Sequence, residues 1–239
     1  MRTPFLEIGR FWTGTFRSSG LWVHDGKVRR PHIRFGGFGE DVGDGGDLHT
    51  GVFYNSGPIL AEDNLAKLAA KDMLSLSRDD IFGGRPDDIF GVVGSQPRAS
   101  KLASHLAEQI ELAAPAEPRF TTSPRKRQVD GKSTLVFSDH EQSLVIGKSV
   151  LICQDVIVTG RNIDLAVDAV ERAGGRAVPF IFSMVNLSGL PSIGGRRIVS
   201  LVDDQVPTFH ATDCNLCRWG SEALDPDLEE SWGRLTMKY

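Results

Sequence analysis

Short apolar runs alternate along the chain with segments whose apolar residues recur at helical spacing, and the clearest example begins at residue 149. Residues 150–153 form an apolar run between polar neighbours, which predicts a short buried strand. The next apolar residues recur at every third or fourth position and predict an amphipathic helix: Ile163, Ala166, Val167, Val170 and Ala173. Gly174 and Gly175 predict the end of this helix, and residues 177–184 predict the next strand.

The same patterns predict further core elements before this unit. Helices are predicted at residues 61–76 and 100–112, and strands at residues 89–93, near Phe120 and at residues 135–137. Successive strand–helix–strand units imply crossover connections between parallel strands. The sequence therefore predicts an α/β fold built on a parallel sheet.

Residues 1–47 follow neither pattern. Large aromatic side chains such as Trp12, Trp22 and Phe35 are scattered there among glycines and basic residues. We predict short strands and loops, which would form an irregular N-terminal extension or hood. The main domain is predicted at residues 48–220, and a C-terminal tail at residues 221–239.

Composition narrows the functional classes. The 239 residues are enough for one α/β domain, and the formal net charge of −4 argues against a dedicated nucleic-acid binder. No apolar run reaches membrane-spanning length, and the N-terminus lacks the apolar segment of a signal peptide. The 3 cysteines do not make a disulfide framework, so we expect a cytoplasmic, reducing compartment.

Candidate chemistry gathers where the strand at residue 150 leads into its helix. Asp155 follows the strand, and open parallel sheets bind their ligands at the carboxyl ends of the strands. Thr159 and Gly160 precede the helix, whose N-terminal N–H groups and dipole favour a phosphate. Asp155 has an alternative interpretation, as a carboxylate that interacts with the helix dipole.

This segment resembles the phosphoribosyl-pyrophosphate motif of type I phosphoribosyltransferases, in which an apolar strand leads to two acidic residues and a Thr-Thr-Gly-Gly-Ser-like loop. Residues 154–162 read Gln-Asp-Val-Ile-Val-Thr-Gly-Arg-Asn in the corresponding frame. Further segments resemble the orotate phosphoribosyltransferase branch, in the same order along the chain: residues 48–55, 88–94, 184–189 and 214–220.

The resemblance implies a type I fold, with a central, mainly parallel sheet flanked by helices and a small N-terminal hood. It implies transfer of a phosphoribosyl group from phosphoribosyl pyrophosphate to a nucleobase, most closely a pyrimidine, with release of pyrophosphate. Mg²⁺ would be held largely by substrate oxygens. The protein would act as a homodimer, without a nucleic-acid or membrane partner.

The resemblance also implies roles for individual residues. Asp155 would be catalytic and Gln154 would contact the ribose, although glutamine brings no charge where the family has an acid. The 5′-phosphate would bind the loop of Thr159, Gly160, Arg161 and Asn162, in which Asn162 is a competent N-cap. Arg161 replaces a glycine of the motif, so its side chain either blocks the phosphate or binds it. Leu187 stands where the orotate branch has an arginine, which would suit a carboxylate-bearing base.

Two basic segments are further candidates. Arg98 begins a helix and would bind pyrophosphate, or is an ordinary solvated arginine. Residues 124–132 form a basic loop that would act as a mobile lid, in which Arg125 would bind pyrophosphate and Lys126 would be catalytic. The alternative is a solvated charged loop.

No metal ligands are predicted among the site residues. Cys214 and Cys217 have the spacing of half a zinc site, but no second pair follows them. We favour a structural turn at this point over metal binding or redox chemistry. Cys153 lies in a predicted buried strand and is interpreted as inert packing.

The sequence supports two functional hypotheses of different classes. The first is an orotate phosphoribosyltransferase-like enzyme, favoured by Asp155, Thr159 and Gly160. The second is a catalytically degenerate relative that binds a nucleotide or phosphosugar in a regulatory role. The departures at Gln154, Arg161, Arg98 and Leu187 favour the second hypothesis. A transferase for another base is a third possibility.

Overall fold

The structure is a computed structural model that describes residues 4–26, 30–35, 48–77, 88–115, 118–129, 132–226 and 228–237. The chain forms two compact units. The first unit comprises Met1–Ser19 and Ser56–Gln205, and the second comprises Gly20–Asn55 and Val206–Tyr239. The second unit therefore draws on both sides of the boundary predicted at residue 47.

The described strands are, in chain order, β1 (Leu21–Val23), β2 (His32–Phe35), β3 (Leu48–Thr50), β4 (Val52–Tyr54), β5 (Gly91–Gly94), β6 (Phe120–Thr122), β7 (Arg125–Val129), β8 (Lys132–Val136), β9 (Ser149–Ile157), β10 (Arg176–Asn186), β11 (Ser192–Ile193), β12 (Arg196–Asp203), β13 (Phe209–His210) and β14 (Ala223–Leu224). The described α-helices are α1 (Pro4–Ser19), α2 (Gly57–Ala61), α3 (Asp63–Ser77), α4 (Ser100–Ala113), α5 (Asp139–Val145), α6 (Arg161–Arg172), α7 (Asn215–Arg218) and α8 (Glu229–Thr236).

A six-stranded sheet organises the first unit, in the order β11-β12-β10-β9-β5-β6. The strands from β12 to β6 pair in parallel, and β11 pairs antiparallel at one edge. Helix α3 contacts β10 and β12, and helix α4 contacts β5, β6 and β9. Helix α6 packs against β9 and β10. The mainly parallel α/β sheet predicted from the sequence is therefore confirmed.

The central strand β9 begins where the hydrophobic pattern predicts it, but it runs past the predicted end at Cys153 to Ile157, so Asp155 lies within the strand and not after it. Val150 and Ile152 are fully buried and belong to an apolar cluster with the inward face of α6. That face repeats at helical spacing through Ile163, Ala166 and Val170, none of which is exposed to solvent. A buried strand between two neighbours has both faces covered, which explains its continuous apolar run.

The N-terminal segment differs from the predicted strands and loops because it begins with helix α1. Trp12 and Phe16 lie one helical turn apart and are fully buried. Trp12 Nε1 donates a hydrogen bond to Asp72 Oδ2 of α3 at 2.9 Å. The aromatic pair thus marks the buried face of an amphipathic helix, which the surrounding glycines and basic residues obscure in the sequence.

The basic segment that was predicted to be a loop forms an antiparallel pair of strands, β7 and β8. Asp130 and Gly131 lie outside the described residues, but Asp-Gly between two strand-forming segments is typical of a two-residue hairpin connection. The prediction was wrong because the charged composition was given more weight than this turn signal.

The second unit contains a four-stranded sheet in the order β13-β3-β2-β14 and a separate antiparallel pair, β1 and β4. Its apolar cluster contains Trp22, Ile33, Phe53, Leu224 and Leu235. Trp22 Nε1 donates to the Leu235 carbonyl at 2.9 Å, a contact that joins β1 to α8. Within the described part of the chain, no helix combines the length and apolar character needed to cross a bilayer.

Candidate active site

Asp155 lies in β9, which has paired strands on both sides. On one side, the pairing with β5 ends where Gly94 lies opposite Cys153. On the other side, β10 stays paired with β9 to the end of both strands, where Asn186 lies opposite Ile157. Asp155 is therefore beyond the carboxyl end of one neighbouring strand, where open parallel sheets bind ligands.

The Asp155 carboxylate is held by Ser56, a residue that sequence reasoning missed. Ser56 Oγ donates to Asp155 Oδ2 at 2.6 Å, and only 6% and 8% of the two residues' surfaces are exposed. Ser56 occupies the N-cap position of α2, but its side chain makes no capping hydrogen bond in that helix. Its hydroxyl instead orients the carboxylate, and the preference of serine for helix N-caps disguises that role.

Gln154 points to the opposite face of β9 from Asp155, because successive side chains of a strand alternate. Its Nε2 donates to the Val156 carbonyl at 2.7 Å. Its Oε1 is buried and has no hydrogen-bond partner among the described residues. A ligand hydroxyl can donate a hydrogen bond to this amide oxygen, so Gln154 stays a predicted ribose contact.

Within the predicted phosphate loop, Gly160 is the N-cap of α6 and has a left-handed backbone with φ of 86°. A Cβ atom at Gly160 would lie 2.7 Å from Ile193 Cδ1, so this position requires glycine for space as well as for conformation. The Gly160 carbonyl accepts hydrogen bonds from the N–H groups of Ile163 and Asp164. The first turn of α6 therefore begins directly after Gly160.

Thr159 and Arg161 flank this glycine. The Arg161 N–H donates to Thr159 Oγ1 at 3.3 Å, and the Arg161 side chain is exposed. Asn162 is half-buried and is the second residue of α6, so the interpretation of Asn162 as a competent N-cap was wrong. Helix α6 begins just after the carboxyl end of β9, and a helix N-terminus at this place suits an anion.

The turn after β5 contributes a second group of small residues. A Cβ atom at Gly94 would lie 2.6 Å from Ser123 Oγ, so the backbone at Gly94 passes close to the Ser123 side chain. Ser95 is fully buried, its N–H donates to the Cys153 carbonyl at 2.9 Å, and its Oγ has no partner among the described residues. Arg98 is exposed in the 3₁₀ turn that precedes α4.

The hairpin presents Arg125 and Lys126 on β7, and Lys126 is exposed. Its other strand is anchored to the core, because Leu135 is buried beside α6. Arg172 of α6 donates to Thr134 Oγ1 at 2.9 Å and to the Leu135 carbonyl at 2.8 Å. Basic side chains thus lie on β7, the outer strand of the hairpin, whereas the inner strand β8 is held against α6.

The end of β10 forms a compact turn. Asn186 Oδ1 accepts hydrogen bonds from the Ser188 N–H at 3.2 Å and from Ser188 Oγ at 2.6 Å. Asn186 Nδ2 donates to Asp203 Oδ1 at 3.1 Å. Leu187 is buried, with 3% of its surface exposed, so this position offers no charge to a ligand.

The cysteines belong to two different environments. Burial, with a smaller contribution from Asp155, raises the pKa of the Cys153 thiol, which suits the inert packing role predicted for it. Cys214 and Cys217 lie in the second unit with His32 and His49. Burial, aided by His49 and His24, lowers the pKa of His32 to about 4. These nitrogen and sulfur donors are chemically distinct from the oxygen donors at the strand ends.

Comparison with known sequences finds similarity to one family of enzymes. A family model described as a phosphoribosyl transferase domain matches residues 57–206. The orotate phosphoribosyltransferase of a Nitratiruptor species is 26% identical over 191 residues, which cover 74% of this chain and 86% of that protein. The adenine phosphoribosyltransferase of Bifidobacterium longum is 26% identical over 160 residues, which cover 63% of this chain and 79% of that protein.

Solved structures show the same fold. The orotate phosphoribosyltransferase of Mycobacterium tuberculosis superposes with a TM-score of 0.51 at 18% sequence identity, covering 82% of this chain and 96% of that one. The corresponding enzyme of Aeropyrum pernix gives a TM-score of 0.51 at 16% identity, covering 80% and 93%. The chain therefore belongs to the phosphoribosyltransferase family and has the type I fold.

Proposed function

We propose that this protein is an active phosphoribosyltransferase that transfers the phosphoribosyl group of phosphoribosyl pyrophosphate to a pyrimidine base, most closely orotate, and releases pyrophosphate. The observation that carries the proposal is the placement of Asp155 beyond the end of β5, on the strand that leads through Thr159 and Gly160 into α6. One strand and one helix terminus thereby supply a carboxylate for a sugar and an anion site for a phosphate.

The proposed reaction is displacement at C1 of the ribose. A ring nitrogen of the base forms the new bond as the bond to pyrophosphate breaks, and positive charge develops on the sugar in the transition state. The Asp155 carboxylate accepts a hydrogen bond from a ribose hydroxyl and stabilises that charge. Ser56 holds the carboxylate in one orientation, so the geometry is set before the substrate binds.

The 5′-phosphate is proposed to bind at the N-terminus of α6. Gly160 allows close approach to the backbone, and the N-terminus of α6 carries the positive end of the helix dipole, which would stabilise the anion. Arg161 adds a charged side chain at the same terminus, where it would bind phosphate. Asn162 lies in the first turn of the helix and completes the proposed phosphate loop.

Mg²⁺ is proposed to enter with the pyrophosphate group. The strand ends offer oxygen donors, the ligands preferred by this hard cation, in the Asp155 carboxylate and in Ser95 Oγ. The buried Ser95 hydroxyl has no partner in the described residues, so it can meet a group brought by the substrate. When bound, Mg²⁺ would neutralise charge on the departing pyrophosphate.

Basic residues outside the strand ends are proposed to bind the same group. Arg98 lies in the 3₁₀ turn that precedes α4, after the turn that holds Ser95. Arg125 and Lys126 lie on the outer strand of the hairpin, and Lys126 is the proposed catalytic cation of a lid. We further propose a homodimer that acts in the cytoplasm, as the family resemblance implies.

The test is an assay of the full-length protein with phosphoribosyl pyrophosphate, Mg²⁺ and one base at a time. Pyrophosphate release and nucleotide product are measured for orotate, uracil, adenine, guanine and hypoxanthine. We expect turnover with orotate to exceed turnover with every purine. Efficient turnover with adenine alone would replace the pyrimidine assignment, and absence of turnover with all bases would refute the enzyme.

A second candidate function is binding without catalysis. Gln154 brings no charge to the position of the first acid, and buried Leu187 cannot pair with a carboxylate-bearing base. These departures favour a degenerate relative that binds a nucleotide or phosphosugar and regulates another process. Calorimetric binding of phosphoribosyl pyrophosphate, together with no turnover on the base panel, would select this function.

A further inference from the structure

Four side chains of the second unit converge on one point. His32, His49, Cys214 and Cys217 each direct a nitrogen or sulfur atom to the cluster, and these four atoms lie within 4.8 Å of one another. His32, His49 and Cys214 are buried, and Cys217 is partly buried. The cluster joins β2, β3 and the segment around α7, so it is assembled from distant parts of the chain.

Four of the six distances between these atoms are close to the edges of a tetrahedron around a metal ion. His32 Nε2 lies 3.0 Å from His49 Nδ1 and 3.6 Å from each cysteine Sγ. His49 Nδ1 lies 3.2 Å from Cys217 Sγ. Tetrahedral Zn²⁺ with ordinary bond lengths would give edges of about 3.3 Å between nitrogens and about 3.6 Å between nitrogen and sulfur.

Hydrogen bonds behind the cluster fix the tautomer of His32. Ser221 Oγ donates its single proton to the Arg30 carbonyl, which can only accept. His32 Nδ1 lies 2.8 Å from the same oxygen, so Nδ1 must carry the proton and donate. The lone pair of Nε2 is therefore directed at the cluster, an arrangement typical of a metal-binding histidine with a supporting second partner.

The local backbone presents the two cysteines from one tight turn. The Arg218 N–H donates to the Cys214 carbonyl at 3.1 Å, and the Gly220 N–H donates to the Cys217 carbonyl at 2.9 Å. Gly220 has a φ of 83°, a left-handed conformation that favours glycine. This turn returns the chain to Ser221, which supports His32 from behind. Both cysteine ligands and the support for His32 are thus parts of one short segment.

We propose that His32, His49, Cys214 and Cys217 bind one Zn²⁺ ion in a closed, structural site. Thiolates are soft donors and imidazoles suit zinc, so this ligand set favours Zn²⁺ over the hard cations Mg²⁺ and Ca²⁺. All four tetrahedral positions are filled by protein atoms, and no position is left for a substrate. The ion ties the two middle strands of the four-stranded sheet to the C-terminal segment of the second unit.

The first test is the metal content of the full-length protein, purified under reducing conditions and reconstituted with Zn²⁺. We expect one zinc per chain by elemental analysis, retained after gel filtration. X-ray absorption should fit two sulfur ligands at about 2.3 Å and two nitrogen ligands at about 2.0 Å. Co²⁺ should give the intense visible absorption of a tetrahedral thiolate site. Octahedral oxygen coordination, or a Cys214–Cys217 disulfide in reduced protein, would overturn the proposal.

Variants assign the ligands. Cys214→Ser, Cys217→Ser and His32→Ala should each lower zinc content to a small fraction of the wild-type value. Matched controls in the same chain are Cys153→Ser and His210→Gln, which should each retain one zinc. Retention of zinc by the cysteine variants, or its loss from His210→Gln alone, would overturn the ligand set. If a ligand variant fails to fold, Co²⁺ titration of wild-type protein still decides the coordination.

Discussion

The candidate active site of the first unit and the zinc cluster of the second differ in how the chain assembles them. Asp155, Thr159 and Gly160 lie in one continuous strand–turn–helix segment. The fold places them at the carboxyl end of the central strand β9. The zinc ligands come from both ends of the chain, and His32 and Cys217 are 185 positions apart. The first arrangement is proposed to receive a ligand at the end of a strand, whereas the second is proposed to enclose a metal ion.

This difference predicts different responses to perturbation. A site placed at the end of a buried strand can lose a functional side chain while the sheet persists, because Val150, Ile152 and the apolar face of α6 provide the packing. A small unit that is joined through its metal ligands depends on the ion for its fold, as structural zinc sites do. The predictions below test this contrast, from the largest expected effect to the smallest.

Removal of zinc should produce the largest effect. Structural zinc contributes an apparent binding free energy of about 10–16 kcal/mol in zinc-finger peptides, which is as large as the whole stability of a small folded unit. We expect a strong chelator to accelerate hydrogen exchange in peptides that contain β2, β3 and α7. Peptides from β9 and α6 should keep their protection. Equal acceleration in both units would contradict the contrast.

Asp155→Asn should abolish most activity and leave the fold intact. The amide keeps the volume of the carboxylate and can still accept the hydrogen bond from Ser56, so we expect little change in melting temperature. Loss of the charge should raise the barrier by a few kcal/mol, a decrease in kcat of about a hundredfold or more. Asp168→Asn, a change of an exposed carboxylate on α6, is the matched control and should keep wild-type kcat. Unchanged kcat in Asp155→Asn would remove the proposed role.

Gly160→Ala should weaken both stability and substrate binding. A left-handed alanine costs about 1–3 kcal/mol, and its Cβ would also crowd Ile193. Gly147→Ala separates the two causes, because Gly147 has a φ of 70° with no atom within 4 Å of the added Cβ. We expect both variants to lose stability, and only Gly160→Ala to raise the KM for phosphoribosyl pyrophosphate. Equal KM values would place the phosphate elsewhere.

Ser56→Ala should have a smaller effect on catalysis than loss of the carboxylate. It removes the hydrogen bond that orients the carboxylate but leaves the charge in place, so we expect a decrease in kcat of about tenfold, or about 1.4 kcal/mol in the barrier. Ser56→Thr keeps the hydroxyl and should restore most of the rate, whereas a purely structural role would not distinguish these variants in kcat. Identical kcat in Ser56→Ala and wild type would show that Asp155 needs no orientation.

Arg161→Gly should produce the smallest change. If the exposed guanidinium binds the 5′-phosphate, its removal should weaken phosphoribosyl pyrophosphate binding by about threefold to tenfold. Calorimetric titration at constant ionic strength measures this change. Tighter binding would identify the arginine as an obstruction, and would sharpen the comparison by showing that the loop works through its backbone alone.

Much of the first unit could be predicted from the sequence because its signals are local. The strand at residue 150, the helix beginning at Arg161 and the strand of β10 each carry their own hydrophobic period. Helix α1 was missed because only Trp12 and Phe16 mark its buried face. The hairpin was missed because its outer strand is charged, although Asp130-Gly131 gave the turn signal.

Tertiary partners could not be predicted in the same way. Ser56 is recognised only when the fold brings it to Asp155, 99 positions away. Cys214 and Cys217 have the spacing of half a zinc site, but a structural turn was favoured there because the sequence does not indicate which of several histidines would complete a site. His32 and His49 lie in strands with no metal-ligand spacing, and sheet pairing alone places them side by side.

The most direct test of the central claim is a calorimetric titration of wild-type protein with phosphoribosyl pyrophosphate in the presence of Mg²⁺. The account predicts saturable binding of one molecule per chain, weakened in Asp155→Asn and Gly160→Ala and unchanged in Asp168→Asn. This measurement does not depend on which base the protein uses. Absence of binding by wild-type protein, or equal affinity in all four proteins, would contradict the assignment of the β9–α6 strand end as the phosphoribosyl-pyrophosphate site.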